Sequence, residues 1–282
     1  MAITAADVKK LREATGAGPM ECKNVLTETN GDFDKAVKLL KEKGLAAAEK
    51  RADRATDNGR VSICVKNGVA AIVELASETD FVARNPEFVE LGGKIADTML
   101  DKGYDSINDE LSNMVKDLST KIRENMSLKR VQLVKGGAND RVASYIHGDG
   151  AIGVVVVLNA DKADALKSEE AENFALSLAM HVAAFSPVAI SSDGIKADHL
   201  KEQTEIYKKQ MESDEKLQGK GEKVLEGILN GKIKKYLADI CFLDQKYIQN
   251  DKISVSQALV EAGKQLGGTL KIANYVMFKV GA

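Results

Sequence analysis

Two tight turns limit what this chain can fold into. The first, Lys66-Asn67-Gly68, sits between the β-rich runs Val61 to Val65 and Val69 to Leu75. Asn-Gly tolerates positive φ at both central positions of a two-residue turn, and that geometry matches the twist of flanking strands, so a hairpin is predicted. The chain then runs through Ser77-Glu78-Thr79-Asp80-Phe81-Val82-Ala83-Arg84, and Asn85-Pro86-Glu87 opens a helix carrying Phe88, Leu91, Ile95 and Met99. About eighty residues later the order returns: Val142 to Ile146, the turn His147-Gly148-Asp149-Gly150, Ile152 to Leu158, then a stripe of Phe174, Leu178, His181, Val182 and Phe185. An internal duplication of a strand-strand-helix unit is the economical reading, and two copies do not make a solenoid. Between the copies, Leu111, Val115, Leu118 and Ile122 mark another amphipathic helix. The helix after each hairpin covers one sheet face, so the expected class is α+β with a duplicated strand-strand-helix core.

At roughly 150 residues per domain, 282 residues amount to about two domains. Hydrophobic residues at 44% and charged residues at 29% fit a folded, water-soluble chain and are too apolar for a disordered one. Forty basic against forty-two acidic residues leave a net charge of -2, so no global field draws the chain onto nucleic acid or anionic lipid. No apolar run approaches the ~18 residues of a membrane helix. The opening MAITAADVKK carries an acid where a signal peptide has its apolar core, so neither secretion nor membrane insertion is expected. Cys22, Cys64 and Cys241 are odd in number and widely spaced, and they read as reduced cytosolic thiols. His147, His181 and His199 form no HExxH or other short metal-ligand pair. With no GxxxxGK[ST] loop, no GxSxG elbow and no GxGxxG turn counted after a strand-like run, an enzyme of nucleotide or hydrolase type is disfavoured and no cofactor is expected.

At the amino-terminal end, Thr4 caps a helix with Asp7 three residues on, and Val8 and Leu11 face inward before Thr15-Gly16. Gly16-Ala17-Gly18-Pro19 then places proline at a first helical position, followed by Met20, Cys22, Val25 and Leu26. Asn30-Gly31 breaks that helix, and Asp32 caps a third, whose stripe of Phe33, Ala36, Val37, Leu39 and Leu40 ends before Gly44. Residues 1–55 thus read as a three-helix bundle suited to docking rather than catalysis, and Ala46 to Asp57 as an exposed helical linker. Residues 56–140 and 141–282 are the two core subdomains. Within the second, over about 197–237, Leu200, Thr204, Tyr207 and Met211, then Gly219-Lys220-Gly221, then Leu225 through Tyr236 predict a charged, projecting antiparallel helical hairpin. Ile240 to Leu243 and Tyr275 to Val280 read as closing strands around a helix, Val255 to Gly267.

The loop Thr79-Asp80-Phe81-Val82 admits two readings. In one, Asp80 caps a turn while Phe81 and Val82 tuck over the sheet, as aromatic residues near strand ends usually do. In the other, Phe81 is an exposed wedge beside a carboxylate, the way interface hot spots are built. His181 lies on the apolar side of its helix and reads as a satisfied core histidine. His147 is expected to be exposed, either as a contact or as a turn residue tolerant of left-handed geometry. Lys129-Arg130, Lys232 and Lys234-Lys235 read as solvated faces.

The stretch Leu11-Arg12-Glu13-Ala14-Thr15-Gly16-Ala17-Gly18, with Met20-Glu21-Cys22-Lys23, resembles the amino-terminal signature of bacterial elongation factor Ts. Glu74 through Arg84 resembles that family's second signature more strongly, and further matches follow in order at Ile122, Glu124 and Asn125, Tyr145 to Gly148, Ala179 to Ala184, and Gln245. The resemblance implies a guanine-nucleotide exchange factor for elongation factor Tu, cytoplasmic, with no bond chemistry, no metal or cofactor of its own and no nucleic acid or membrane partner. It also implies a ubiquitin-associated-like amino-terminal module, a duplicated α+β core and a protruding helical hairpin. By that resemblance Thr79, Asp80, Phe81 and Val82 approach the partner's magnesium and phosphate site, Arg12, Met20 and Lys23 contact its nucleotide-binding domain, and His147 contacts its third domain. The partner is met in its GDP-bound and nucleotide-free forms, and a homodimer or a 2:2 complex is left open. The chain departs from the family pattern at Pro19, at Glu21 in place of aspartate, at Arg123 in place of glycine and at Met277 in place of arginine. Two rivals are a non-catalytic docking module confined to residues 1 to about 55, and a thiol or histidine enzyme sensitive to alkylation of the three cysteines.

Overall fold

The computed structural model describes residues 3–282, leaving aside the side chains of Ala48 and Glu49. Three helices come first: α1 (Ala5–Thr15), α2 (Pro19–Glu28) and α3 (Phe33–Glu49). Thr4 caps α1 in a reciprocal box with Asp7, and Asp32 accepts the Lys35 amide at the start of α3. Leu11, Cys22, Val25, Leu26, Ala36 and Leu40 form their shared core. The third helix does not stop at Gly44. No positive φ occurs there, and a Cβ at Gly44 would overlap Thr120 Cγ2, so this glycine serves a close approach rather than a helix end. The linker expected over 46–57 is accordingly helical only to Glu49 and then turns, and Thr56 within it is buried on Ser127. The side chains of Ala48 and Glu49 lie outside the described residues.

Strands β1 (Asn58–Lys66) and β2 (Val69–Ser77) form the first hairpin in a register that sets Lys66 opposite Val69. Asn67 and Gly68 both take positive φ, 51° and 74°, as a two-residue turn of this hand requires. A one-turn helix, α4 (Asp80–Ala83), leads to α5 (Pro86–Lys102) and α6 (Asp109–Ile122). The α5 face of Phe88, Leu91, Ile95, Ala96 and Met99 lies with Ala71, Val73 and Leu75 of β2 in one core, and each large side chain contributes ~1.5–3 kcal/mol by burial. Strand β3 (Met126–Lys135) then completes the order β1-β2-β3.

The reading of Lys129-Arg130 as a solvated face holds for Lys129, which is exposed, and is corrected for Arg130. Arg130 Nε on β3 bonds the carboxylate of Glu74, whose side chain is only 4% exposed, while an Arg130 Nη atom donates to the Lys279 carbonyl at 2.8 Å. Its guanidinium also lies 4.5 Å from the centre of the Phe278 ring. The buried carboxylate needs a counter-charge, and β3 supplies it.

The second hairpin, β4 (Asp140–His147) and β5 (Ile152–Ala160), is followed by α7 (Glu169–Phe185), and β8 (Leu270–Lys279) completes the order β4-β5-β8. Each three-stranded sheet is therefore a hairpin plus a strand that returns after helices. Helices α8 (Ala197–Glu212) and α9 (Glu222–Ile240) pair antiparallel, with His199 bonded to Tyr236 and Tyr207 edge-on to Tyr236. The short strands β6 (Lys246–Tyr247) and β7 (Asn250–Ser254) precede α10 (Val255–Leu266), which ends on left-handed Gly267. Residues 240–243 make no closing strand. Cys241 forms a single bridge to Ala189, and the amides of Asp244 and Gln245 turn back onto the Cys241 carbonyl, which ends the pairing. The apolar character of this run serves packing instead, with Phe242 stacked on His181.

The described residues thus form a mixed α and β structure with ten α-helices and small antiparallel sheets. They fall into two compact units: residues 3–134, 146–153 and 278–282 in one, residues 135–145 and 154–277 in the other.

His181 is the satisfied core histidine that its helix position predicts. The Ile248 amide donates to Nδ1 at 3.2 Å, so Nε2 carries the proton and donates to Gln245 Oε1 at 2.9 Å. Gln245 in turn donates to the Asp239 carbonyl at 2.8 Å, and Phe185 and Phe242 stack on the ring. Burial holds this imidazole below the usual histidine range, with the Gln245 bond opposing more weakly. The unfolded chain therefore binds the proton first. Stability conferred by the neutral ring is full above pH ~6.5 and is lost as pH falls below it, by at most about 1.4 kcal/mol per pH unit. Urea midpoints at pH 7.5 and 5.5 should differ more for the wild type than for His181→Phe; equal acid sensitivity would assign the effect to other groups.

Candidate functional site

The loop after β2 is held by its neighbours before it is shaped by its own residues. Thr79 caps α4 by accepting the Val82 amide, and Ser77 Oγ donates to the Thr79 carbonyl at 2.9 Å. From across the unit, Glu124 accepts the Thr79 amide at 3.2 Å and the Thr79 hydroxyl at 3.0 Å. Glu78 accepts the Asn125 amide at 2.6 Å and Arg54 at 3.2 Å. The Asn125 amide first, and Arg54 second, hold the Glu78 carboxyl below its usual range. Asn58 donates to the Glu78 carbonyl at 2.9 Å, so both residues preceding the helical turn are fixed.

On this base the two readings of the loop divide between adjacent residues. Val82 tucks into the core with Ala83 and Phe88, while Phe81 stands 83% exposed. Asp80 is exposed and pairs with Arg84 at 3.4 Å. A ring this exposed adds little to the fold by burial.

The loop and the second hairpin turn line one cleft of about 230 Å³. Asp80, Ala83 and Arg84 face Gly148, Asp149 and Ala151 there, with Arg60 and Val280. His147, the last residue of β4, is exposed next to this cleft but does not line it, and its backbone is not left-handed; Gly148, Asp149 and Gly150 take the positive φ values. Gly148 to Gly153 spells GxGxxG, so the counted absence of that pattern is corrected. The residues that follow form β5 rather than a helix, and the phosphate-cradling geometry needs a helix amino terminus. Met20 is 67% exposed at the start of α2, and Arg12 and Lys23 are exposed on α1 and α2; none of the three lines the cleft.

Glu78, Glu124 and Asn125 were not among the sequence candidates for the site. Their signal is long-range pairing, across 45 to 47 residues for the bonds to Thr79 and Glu78, which local spacing does not carry. Among the described residues no cluster of three or more His, Cys, Asp or Glu is placed to hold a metal ion, and no helix is long and apolar enough to cross a membrane.

A model of the family described as Elongation factor TS matches residues 78–282, from the acid that anchors the loop onward. The chain belongs to the elongation factor Ts family. It is 44% identical over 281 residues to Elongation factor Ts of Treponema denticola, covering 100% of this chain and 99% of that one. It is 39% identical to the protein of the same name from Treponema pallidum strain Nichols over 292 residues, and 39% identical to that of Borreliella burgdorferi over 280, each with at least 99% of both chains covered. Membership in the elongation factor Ts family makes this an elongation factor of protein biosynthesis. Of the departures from the family pattern, two meet each other: Arg123, left-handed at φ 69°, bonds Glu21 of α2. Pro19 occupies the first position of α2, where it costs no hydrogen bond. Nothing in the structure explains Met277.

Proposed function

We propose that this chain binds elongation factor Tu·GDP, disturbs its magnesium and phosphate site, and promotes GDP release during elongation in the cytoplasm. Family membership carries the activity, which makes or breaks no covalent bond. The observation that carries the mechanism is Phe81: an aromatic side chain 83% exposed on a turn whose neighbours are buried or hydrogen-bonded. Thr79, Asp80, Phe81 and Val82 form the inserting loop. Helices α1–α3, residues 1–55, act as a ubiquitin-associated-like module that meets the nucleotide-binding domain through Arg12, Met20 and Lys23. Core residues 56–140 present the loop. Residues 141–282 supply His147 to the third domain and project the α8–α9 hairpin.

Exchange needs only that the partner's affinities for GDP and for this protein oppose each other, and such coupling is reciprocal. A thousandfold faster release corresponds to about 4 kcal/mol. Weakening two charge-assisted contacts of ~1.5–3 kcal/mol each around the magnesium is enough. The test is release of a fluorescent GDP analogue from elongation factor Tu, chased with excess GDP. Acceleration at substoichiometric amounts is expected; none from a folded sample would move the function to a docking role without exchange. The chain has no tryptophan, so its own fluorescence adds little background.

A further inference from the structure

Three consecutive residues at the turn between α6 and β3 each hold a different distant segment. The Arg123 guanidinium bonds the carboxylate of Glu21 on α2, the helix that carries exposed Met20. The Glu124 carboxylate takes the amide and hydroxyl of Thr79. The Asn125 amide side chain donates to the carbonyls of Ala52 at 3.0 Å and Arg54 at 2.7 Å, the segment that follows α3, while its backbone amide donates to Glu78. The turn itself is locked to α6, since Ser119 Oγ donates to the Glu124 carbonyl at 2.6 Å and the Arg123 amide to the Ser119 carbonyl at 2.8 Å. Arg123 accepts a left-handed backbone to do this, a conformation that disfavours a residue with a Cβ.

We propose that Arg123-Glu124-Asn125 is a joint that transmits the seating of helices α1–α3 to the Thr79–Val82 loop, with Glu124 a positioning residue for that loop. A displacement of α2 pulls on Glu21, and the adjoining residue passes it to Thr79 across one peptide bond. The Glu124 bonds to Thr79 are part-buried and the Arg123–Glu21 pair is half-exposed, so the phenylalanine's angle depends, more weakly through the pair than through Glu124, on where the amino-terminal module sits. The inference rests on the exchange reading for its use, but its mechanical content is measurable on the chain alone.

The experiment is residue-resolved amide hydrogen exchange of the full chain, read at Val82, Ala83 and Arg84, whose amides bond Thr79 and Asp80. In Glu124→Ala these amides should exchange more than about tenfold faster, because hydrogen bonds to a charged acceptor are lost. Glu124→Gln keeps an acceptor oxygen for Thr79 and should recover part of the protection. Arg123→Gly relieves the left-handed backbone while breaking the link to Glu21, so its urea midpoint should be at or above the wild type's. Its loop amides, like those of Glu21→Gln, should nonetheless exchange about two- to fivefold faster, the range of a partly exposed ion pair. In the Glu21→Gln and Glu124→Ala double variant, the Glu21 change should add nothing at the loop.

In the GDP-release assay, Glu124→Ala should lower the maximal rate more than it raises the half-saturating concentration. Unchanged loop exchange in Arg123→Gly and Glu21→Gln overturns the joint, and unchanged loop exchange in Glu124→Ala overturns the positioning role. If the wild type accelerates no GDP release while these amides respond as expected, the exchange reading falls and the joint stands.

Discussion

Phe81→Ala should keep the stability of the wild type and lose most of the proposed exchange activity. The ring is 83% exposed and makes no core contact, so its removal should change stability by less than about 0.5 kcal/mol. The turn around it survives, because Thr79 still caps α4 and Val82 still fills the core beside Phe88. At the partner, truncating a central aromatic anchor costs about 2–4 kcal/mol. That corresponds to roughly 30- to 1,000-fold in the stimulated rate of GDP release. Circular dichroism and a urea curve establish the fold, and the fluorescent GDP chase reads the activity. Full stimulation by a folded Phe81→Ala protein would sink the wedge mechanism and leave the rest of the interface to account for exchange.

Arg130→Met is the largest expected loss of stability. The substitution preserves much of the side chain's length beside the Phe278 ring but removes the counter-charge from Glu74, whose side chain is 4% exposed. The Gly281 amide, 3.3 Å from Glu74 Oε1, is too weak to replace a guanidinium. Because the Arg130 side chain is itself 36% exposed, the ~3–5 kcal/mol of a fully buried pair is an upper bound, and stranding the Glu74 charge costs about 2–3 kcal/mol. Glu74→Gln on the same background removes that stranded charge and should recover a large part of the loss. Urea denaturation of the three proteins decides the matter. A loss below about 1 kcal/mol, the range of a solvated pair, would mean that water reaches Glu74 and that β3 is joined to β2 by its backbone alone.

What the residues disclosed locally and what they withheld follow one division. Asn67-Gly68, the Thr4 and Asp32 caps and the stripe of α5 are decided within a few residues, and the structure has them as read. His181 was legible for the same reason, since a lone histidine on an apolar helix face has to find partners in the core. Strand β3 was not legible, because MSLKRVQLVK carries charges that look solvated until Glu74, 56 residues away, is placed beside Arg130. Gly44 resembled a helix end until Thr120 filled the space its missing side chain leaves. At the loop, the motif singled out the segment, but local pattern could not say which of Phe81 and Val82 turns outward. That depends on the anchoring of Thr79 by Glu124 and on Phe88 beneath.

The discontinuity of the first compact unit bears on how the chain is made. Residues 278–282 belong to the same unit as residues 3–134: the Lys279 carbonyl meets Arg130, the Gly281 amide meets Glu74, and the Val280 amide meets the Ala151 carbonyl. During translation, α1–α3 can fold as soon as they leave the ribosome, because their contacts are local. The hairpin of β1 and β2 forms soon afterwards, but its Glu74 waits some two hundred residues for the last of its partners. At about 5–20 residues per second, that interval lasts on the order of ten seconds or more. An elongation factor thus completes its own loop-bearing unit only after some two hundred further residues have followed Glu74.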